Sequence, residues 1–298
     1  PPAAIVPDIT GTPGVAATFD GSASTSVSYY HWSWVSTPGG SSITTGPVPF
    51  PDGGAVTPID MTDNQGLYHF EGNANDTSGN ARNGTVNGAT QVTGKVGPNA
   101  YSFDGSNDYI TCGANFAFTT SDFTVSFWMN PDASQNNYQQ FIGCWGGGTG
   151  DGWFFEQNAG NSGQYRFQSG DGSSWKANGN YMSVPASAWS HIVLVRVGAV
   201  ITGYLNGVAV YTDVTATTIG GHGNFVMGGS ATLSNFWQGL LDEVALWDRE
   251  LSASEVLDIY NLQQGIVGTS STFTFTPDKE GTYQINLAID GSTNTNAD

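Results

Sequence analysis

Short runs in which apolar and polar residues alternate, each closed by a turn signal, set the strongest limit on what this chain can fold into. Tyr29-Tyr30-His31-Trp32-Ser33-Trp34-Val35 places Tyr30, Trp32 and Trp34 on one face and stops at Pro38-Gly39-Gly40. Phe123 to Met129 alternates in the same way, and Trp189 to Arg196 is a mostly apolar strand. Tyr204 to Tyr211 reads as a hairpin whose Asn206-Gly207 suits a type I′ turn. A period of two is that of a strand with one buried face, and short strands joined by turns build a two-sheet all-β sandwich. The 41 glycines, with charged residues at only 11%, belong with that reading and not with a helical bundle. One short helix is expected, from Ser252 to about Asn261. Ser252 and Glu255 form a capping box there, and Val256, Leu257 and Tyr260 an apolar stripe.

Charge narrows the partners. With 25 acidic and 7 basic residues the formal net charge is −18, which argues against nucleic acid and against an anionic membrane surface. No apolar run approaches the roughly 18 residues that a membrane-spanning helix needs. The opening Pro1-Pro2-Ala3-Ala4-Ile5-Val6-Pro7 has no charged or apolar signal region, so no signal peptide is expected there. Cys112 and Cys144 fit either one disulfide in an oxidising compartment or two small buried thiols. With no nearby histidine pair they do not make a zinc site.

The stretch from Leu67 to Asn80 starts as a strand and breaks into Asn73-Ala74-Asn75-Asp76-Thr77-Ser78-Gly79-Asn80. Side-chain oxygens crowd into ten residues, which suits a hard cation such as calcium and equally suits a solvated turn.

The two ends of the chain together resemble the Ig-like domains of the polycystic-kidney-disease (PKD) type. Asp20-Gly21-Ser22-Ala23-Ser24, the Trp32-Ser33-Trp34 strand and the Pro38 to Ser42 turn look like its first half. Phe275-Thr276-Pro277-Asp278, Gly281-Thr282-Tyr283 and Asp290-Gly291 look like its second. The resemblance implies a discontinuous Ig-like β-sandwich at residues 1–48 and 268–298, with a second domain inserted at 49–267. Insertion is easy where an exposed turn has its ends close together. The family's last strand is expected to be missing, or supplied by a neighbouring Ig-like domain or subunit.

The insert resembles the laminin-G-like domains of the concanavalin A-like lectin/glucanase superfamily. The landmarks are Leu67 to Asn80, Ser102 to Tyr109, Phe123 to Trp128, Trp189 to His191, Tyr204 to Gly207, and Gly239 to Trp247 followed by Leu251-Ser252 and the helix. They imply a jelly-roll sandwich used for carbohydrate or protein adhesion, often with calcium. In that fold the first strand lies antiparallel beside the strand of Asp242. The resemblance therefore implies that Asp76 and Asp242 share one Ca2+, with oxygens from Asn73, Ser78 or Asn80. The alternative is that Asp242 binds the amides of residues 75–78 with no metal. Asp104 and Asp108 are a weaker second candidate.

Aromatics carry the other signal. Trp145, Trp153, Phe154, Tyr165, Trp175 and Tyr181 sit among Gly, Asn, Ser and Gln, the mixture that a glycan cleft contains. Trp145, Trp153, Tyr165, Trp175 and Tyr181 are the candidate ligand-binding residues, while Trp128, Trp189 and Trp247 read as core. Catalysis is not expected, since no strand carries the paired acids of a glucanase and Asp242-Glu243, being adjacent, should face opposite ways. Neither a nucleophile elbow nor a phosphate loop appears. Of the four histidines, His31, His69, His191 and His222, His191 reads as structural. Two functions stay open: a calcium-stabilised glycan-binding adhesion module that is extracellular or on a cell or virion surface, and a structural surface protein that assembles through Ig-like sheet edges without a glycan.

Overall fold

A computed structural model describes residues 59–264 apart from 120–121, 134–137, 146–147, 149, 159–162, 178–180, 215–217 and 221–222; beyond that range it describes the backbone of seven strands. The chain divides into two compact units, residues 1–60 with 258–298 and residues 61–257. Five strands open it: β1 (Ala4–Ile5), β2 (Ile9–Gly11), β3 (Ala17–Asp20), β4 (Tyr29–Ser36) and β5 (Gly46–Pro47).

The second unit runs β6 (Asn64–Tyr68), β7 (Thr85–Asn87), β8 (Thr90–Thr93), β9 (Asn99–Asp104), β10 (Tyr109–Thr111), β11 (Phe123–Pro131), β12 (Gln140–Cys144) and β13 (Trp153–Gln157). It continues with β14 (Gln164–Gly170), β15 (Trp175–Ala177), β16 (Met182–Ser183), β17 (Ser190–Val197), β18 (Val200–Leu205), β19 (Val208–Val214), β20 (Phe225–Met227) and β21 (Gln238–Trp247). Helix α1 (Ala253–Gln264) follows; β22 (Thr272–Phe275) and β23 (Gly281–Asp290) then return to the first unit.

In the first unit the sheet order is β1-β23-β4-β5, with β2 also on β23, and β3 pairs β22 separately. Trp32 stands opposite Leu287 and Phe19 opposite Phe273, so the segments on either side of the second unit pair with one another. Residues 21–24, 38–42, 276–280 and 291, which carry part of the Ig-like resemblance, lie outside the described residues, as does His222.

The second unit is an all-β sandwich of two antiparallel sheets. One runs β19-β18-β17-β11-β21-β9-β8, with β6 also on β21; the other runs β15-β14-β13-β12-β20-β10-β7, with β16 on β14. Strand β11 shows why they face each other. Phe123, Val125, Phe127 and Met129 point into the core, while Thr124, Ser126 and Trp128 point away. The Phe127 ring meets Phe155 of the opposite sheet edge-on at 5.2 Å, and Phe155, Phe167 and Trp153 extend the cluster. Each ring buried in this way contributes about 1.5–3 kcal/mol before the cost of chain ordering. Trp128 is buried on the outer face, with Lys95 Nζ 4.9 Å from its ring. Trp247 is also buried, whereas Trp189 is only half-buried.

The turn at Gly105-Ser106-Asn107 joins two strands. Strand β9 pairs β21 in one sheet and β10 pairs β7 and β20 in the other, so the turn carries the chain between sheets. Asp104 Oδ1 accepts the amides of Ser106 and Asn107 there, and Asp108 Oδ2 that of Asp104, which is turn chemistry. One local reading, that of Asp242 and Glu243, needs changing. On β21, Trp128 pairs Asp242 but Ser126 pairs Ala245, and Glu243 has φ 49°. This bulge adds one residue, so Asp242 and Glu243 project to the same outer side and not to opposite faces.

Asn206 (φ 51°) and Gly207 (φ 78°) form the expected left-handed turn between β18 and β19. At the helix start Glu255 Oε2 accepts Ser252 N at 2.7 Å and Ser252 Oγ accepts Glu255 N at 3.3 Å, closing the capping box. Val256 is buried, but Leu257 is exposed and not part of an inward stripe. Both cysteines are free and buried, which leaves the disulfide alternative unrealised.

Candidate functional site

Alternation along β13 builds a continuous strip on the outer face of the second sheet. Trp153 and Phe155 enter the core, so Phe154 and Glu156 must face outward. On β14, Tyr165 and Phe167 go inward and Arg166 and Gln168 outward, with Phe154 opposite Gln168 and Glu156 opposite Arg166. Trp175 of β15 pairs Gly170 at the edge and completes the aromatic end. The Phe154 ring meets Trp175 at 5.0 Å and 73°, and Trp145 lies 5.8 Å from Trp175 and 5.9 Å from Phe154. Trp145 Nε1 donates to Gly148 O at 2.9 Å, which fixes the indole. Trp145 and Trp175 are half-buried and Phe154 is nearly covered. Two apolar planes are thus offered above a packed third.

The loops beneath this end approach backbone to backbone. Gly152 N donates to Gly220 O, Gly170 N to Gly152 O and Gly172 N to Gly150 O. A Cβ on Gly170 would lie 2.0 Å from Gly150 O, so only glycine allows the approach.

The other end is polar. Glu156 Oε1 accepts Arg166 Nε at 2.8 Å and Arg166 Nη2 at 2.5 Å, and also the side-chain amide of Gln168. The Arg166 guanidinium lies 5.3 Å from the half-buried Tyr181 ring. Gln140 stands directly opposite Glu156 on β12, and its Oε1 has no partner among the described residues although the side chain is 5% exposed. The fold therefore brings Trp145, Trp175 and Tyr181 onto one strip. Trp153 and Tyr165 are not ligand-facing: parity sends both into the core, where Trp153 Nε1 bonds Phe116 O at 3.0 Å and Tyr165 meets Phe141 edge-on. Sequence reasoning missed Gln140, Glu156, Arg166 and Gln168. The signal that could have found them is their register with Phe154 once Trp153 is assigned to the core.

The residues chosen for calcium do not converge. Asp76 Oδ1 accepts the amides of Leu67 and Ser78, and Oδ2 accepts that of Arg82. Asn80 Nδ2 donates to the carbonyls of Asn64 and Gln65 and to Ser78 Oγ. With Thr77 N on Leu67 O, the loop folds back and covers the outer edge of β6. Asp242 serves another loop: Oδ2 accepts the amides of Lys95 and Val96, and Oδ1 that of Glu243. So it bonds neither Asp76 nor the amides of 75–78. Burial pushes the Asp242 carboxyl up to about 7, opposed by those amides. A shared calcium does not fit oxygens already committed to separate backbone amides. No three His, Cys, Asp or Glu side chains group as a metal site among the described residues.

His191 is fully buried, with Nε2 2.8 Å from Ser126 Oγ, and burial lowers its pKa to about 3. It is a neutral structural group. His69 Nδ1 pairs Glu243 Oε1 at 2.7 Å beside Asp242 on the outer face of the first sheet.

The laminin G family described as the concanavalin A-like lectin/glucanases superfamily matches residues 104–257, just over half of the chain. Comparison with curated protein sequences gives no match. Among solved structures, domain 4 of an extracellular GH43 arabinanase from Geobacillus stearothermophilus, in complex with arabinotriose, is 19% identical. Its TM-score is 0.55, over 66% of this chain and 98% of that domain. The binding domain of Paraclostridial Mosquitocidal Protein 1 is 19% identical with TM-score 0.52, over 67% of this chain and 52% of that one. Trypanosoma rangeli sialidase with 2,3-difluorosialic acid is 20% identical with TM-score 0.56, over 77% of this chain and 37% of that one. At such identities the likeness is one of fold. This chain spans about half of the toxin binding domain and a smaller share of the sialidase.

Proposed function

Because this chain belongs to the concanavalin A-like lectin/glucanases superfamily, we propose that it is a non-catalytic carbohydrate-binding module whose ligand lies along the β12 to β15 strip. The observation that carries this is the continuity of the strip: half-buried indole planes at Trp145 and Trp175 run into buried hydrogen-bonding groups at Gln168, Glu156 and Gln140. Sugar rings lay C–H faces on aromatic planes while amides and carboxylates take the hydroxyls. The arabinanase domain solved with arabinotriose lends support as a relative in fold.

Most glycoside hydrolases use two carboxyl groups about 5 to 9.5 Å apart. On this strip Glu156 is held by an arginine and an amide and not by a second acid. Asp242 and Glu243 share a side, but Asp242 is enclosed by backbone amides. We read the first unit as the PKD-type Ig-like domain into which the module is inserted, supported by the pairing of β3 with β22 and β4 with β23. An extracellular or surface location with a glycan partner follows from that reading.

A glycan array probed with the intact chain tests it, with Trp175→Ala and Trp145→Ala as partners. Binding that falls at least about tenfold in Trp175→Ala, with a cooperative melt showing that the variant is folded, is expected. No binding to any glycan by the unaltered chain overturns the proposal.

A further inference from the structure

Resting on the glycan reading of the same strip, we infer that this site selects uncharged glycans, gripping adjacent ring hydroxyls between Glu156 and Gln140, and rejects acidic sugars although an arginine lies in it. The reason is which groups remain available. Arg166 spends Nε and Nη2 on Glu156 Oε1 and stacks its guanidinium on Tyr181. The Gln168 amide donates to the same oxygen. Lys176, beside Trp175, is paired with Asp171 at 3.2 Å. Both cations of the strip thus have carboxylate partners that offset their charge.

Two acceptor oxygens are also uncommitted. Glu156 Oε2 takes no hydrogen bond among the described residues, whereas Oε1 takes three. Gln140 Oε1 is likewise without a partner. Gln140 and Glu156 are register partners on β12 and β13, next to the register shift before Ile142, so the two acceptors belong to neighbouring strands. A carboxylate only accepts, so it demands a donor from the ligand. Sugar hydroxyls donate. A uronate or sialate carboxylate has no proton to give, meets Glu156 as a like charge and approaches a chain of net charge −18.

The test compares neutral oligosaccharides of arabinose, xylose, mannose and glucose with trigalacturonate and 3′-sialyllactose, by array and then calorimetry on the intact chain at physiological salt. The expected result is binding confined to the neutral set. Glu156→Gln removes the acceptor charge and releases Arg166, so neutral binding should fall at least about tenfold and trigalacturonate binding should appear. Gln140→Leu keeps the ion pair and should weaken neutral binding severalfold, with Tm confirming that both variants are folded. Wild-type preference for either acidic sugar overturns this inference and leaves the glycan reading standing. Neutral binding unchanged in folded Gln140→Leu also overturns it. No binding to either set removes the glycan reading and this inference with it.

Discussion

Asp76 Oδ1 accepts the Leu67 amide at 3.0 Å, nine residues back along the chain. That one bond makes the oxygen-rich loop a cover for the β6 edge. Asp76 also takes the amides of Ser78 and Arg82. Asp76→Ala is expected to lower stability by about 1–3 kcal/mol, since amides that bonded a charged acceptor lose it. Urea denaturation at pH 7 measures this, and an unchanged midpoint would return the loop to an independent turn.

Calcium should do nothing at this loop. Its carboxylate oxygens, and those of Asp242, already answer separate sets of amides. Melting the chain in excess calcium and in excess chelator is expected to give the same Tm within about one degree, because a site without affinity adds no linkage energy. A rise in Tm that depends on calcium and disappears in Asp242→Ala would restore the shared site.

Stability should increase as pH falls from about 8 to about 6.5. Below that the buried neutral His191, its pKa lowered to about 3, acts oppositely, because the unfolded chain gains a proton that the native state does not. Burial raises the Asp242 carboxyl to about 7, so between its unfolded value near 4 and 7 the native state holds a proton that the unfolded chain has lost. Ionisation of Asp242 therefore costs stability as pH rises through that window. His69 adds the same sign: its hydrogen bond to Glu243 raises its pKa, so its contribution is present below the unfolded value and is lost as pH rises through the folded one. Asp76 acts oppositely and only in acid. Burial pushes its pKa up, but the loop amides outweigh this and hold it down, so its contribution disappears as pH falls through the depressed value. Tm measured from pH 6.5 to 8 should slope downward, and His69→Gln should flatten it. An upward slope would refute the assignment.

Trp153 and Trp175 should separate stability from binding. Trp153 is fully buried between the sheets, so Trp153→Ala should cost about 3–5 kcal/mol. Trp175 is half-buried at the sheet edge, so Trp175→Ala should cost under about 2 kcal/mol while abolishing glycan retention in affinity electrophoresis. The reverse pattern would mean that the strip is misassigned.

Cys112 and Cys144 should resist thiol reagents until the chain unfolds. Both are buried, and burial pushes each thiol up to about 12. Reaction with Ellman's reagent is expected to give no product in native buffer and two thiols per chain in guanidinium. Fast native labelling of either would contradict their burial.

By itself the sequence determined the all-β class, the strand at 123–129, the Asn206-Gly207 turn and the capping box at Ser252. Each depends on residues close together in the chain, where period and turn chemistry act directly. Tertiary structure alone decided the site. A difference of one position separates Trp153 in the core from Phe154 on the strip, and alternation gives that parity only once one strand is placed. The bulge at Glu243 reverses the expected facing of Asp242 and Glu243, because one extra residue shifts all that follows it. Asp242 meets Lys95 and Val96, and Glu156 meets Gln140, through pairings between distant strands. No local pattern encodes such contacts, and they are what separate a proposed calcium pair from two edge-fastening carboxylates.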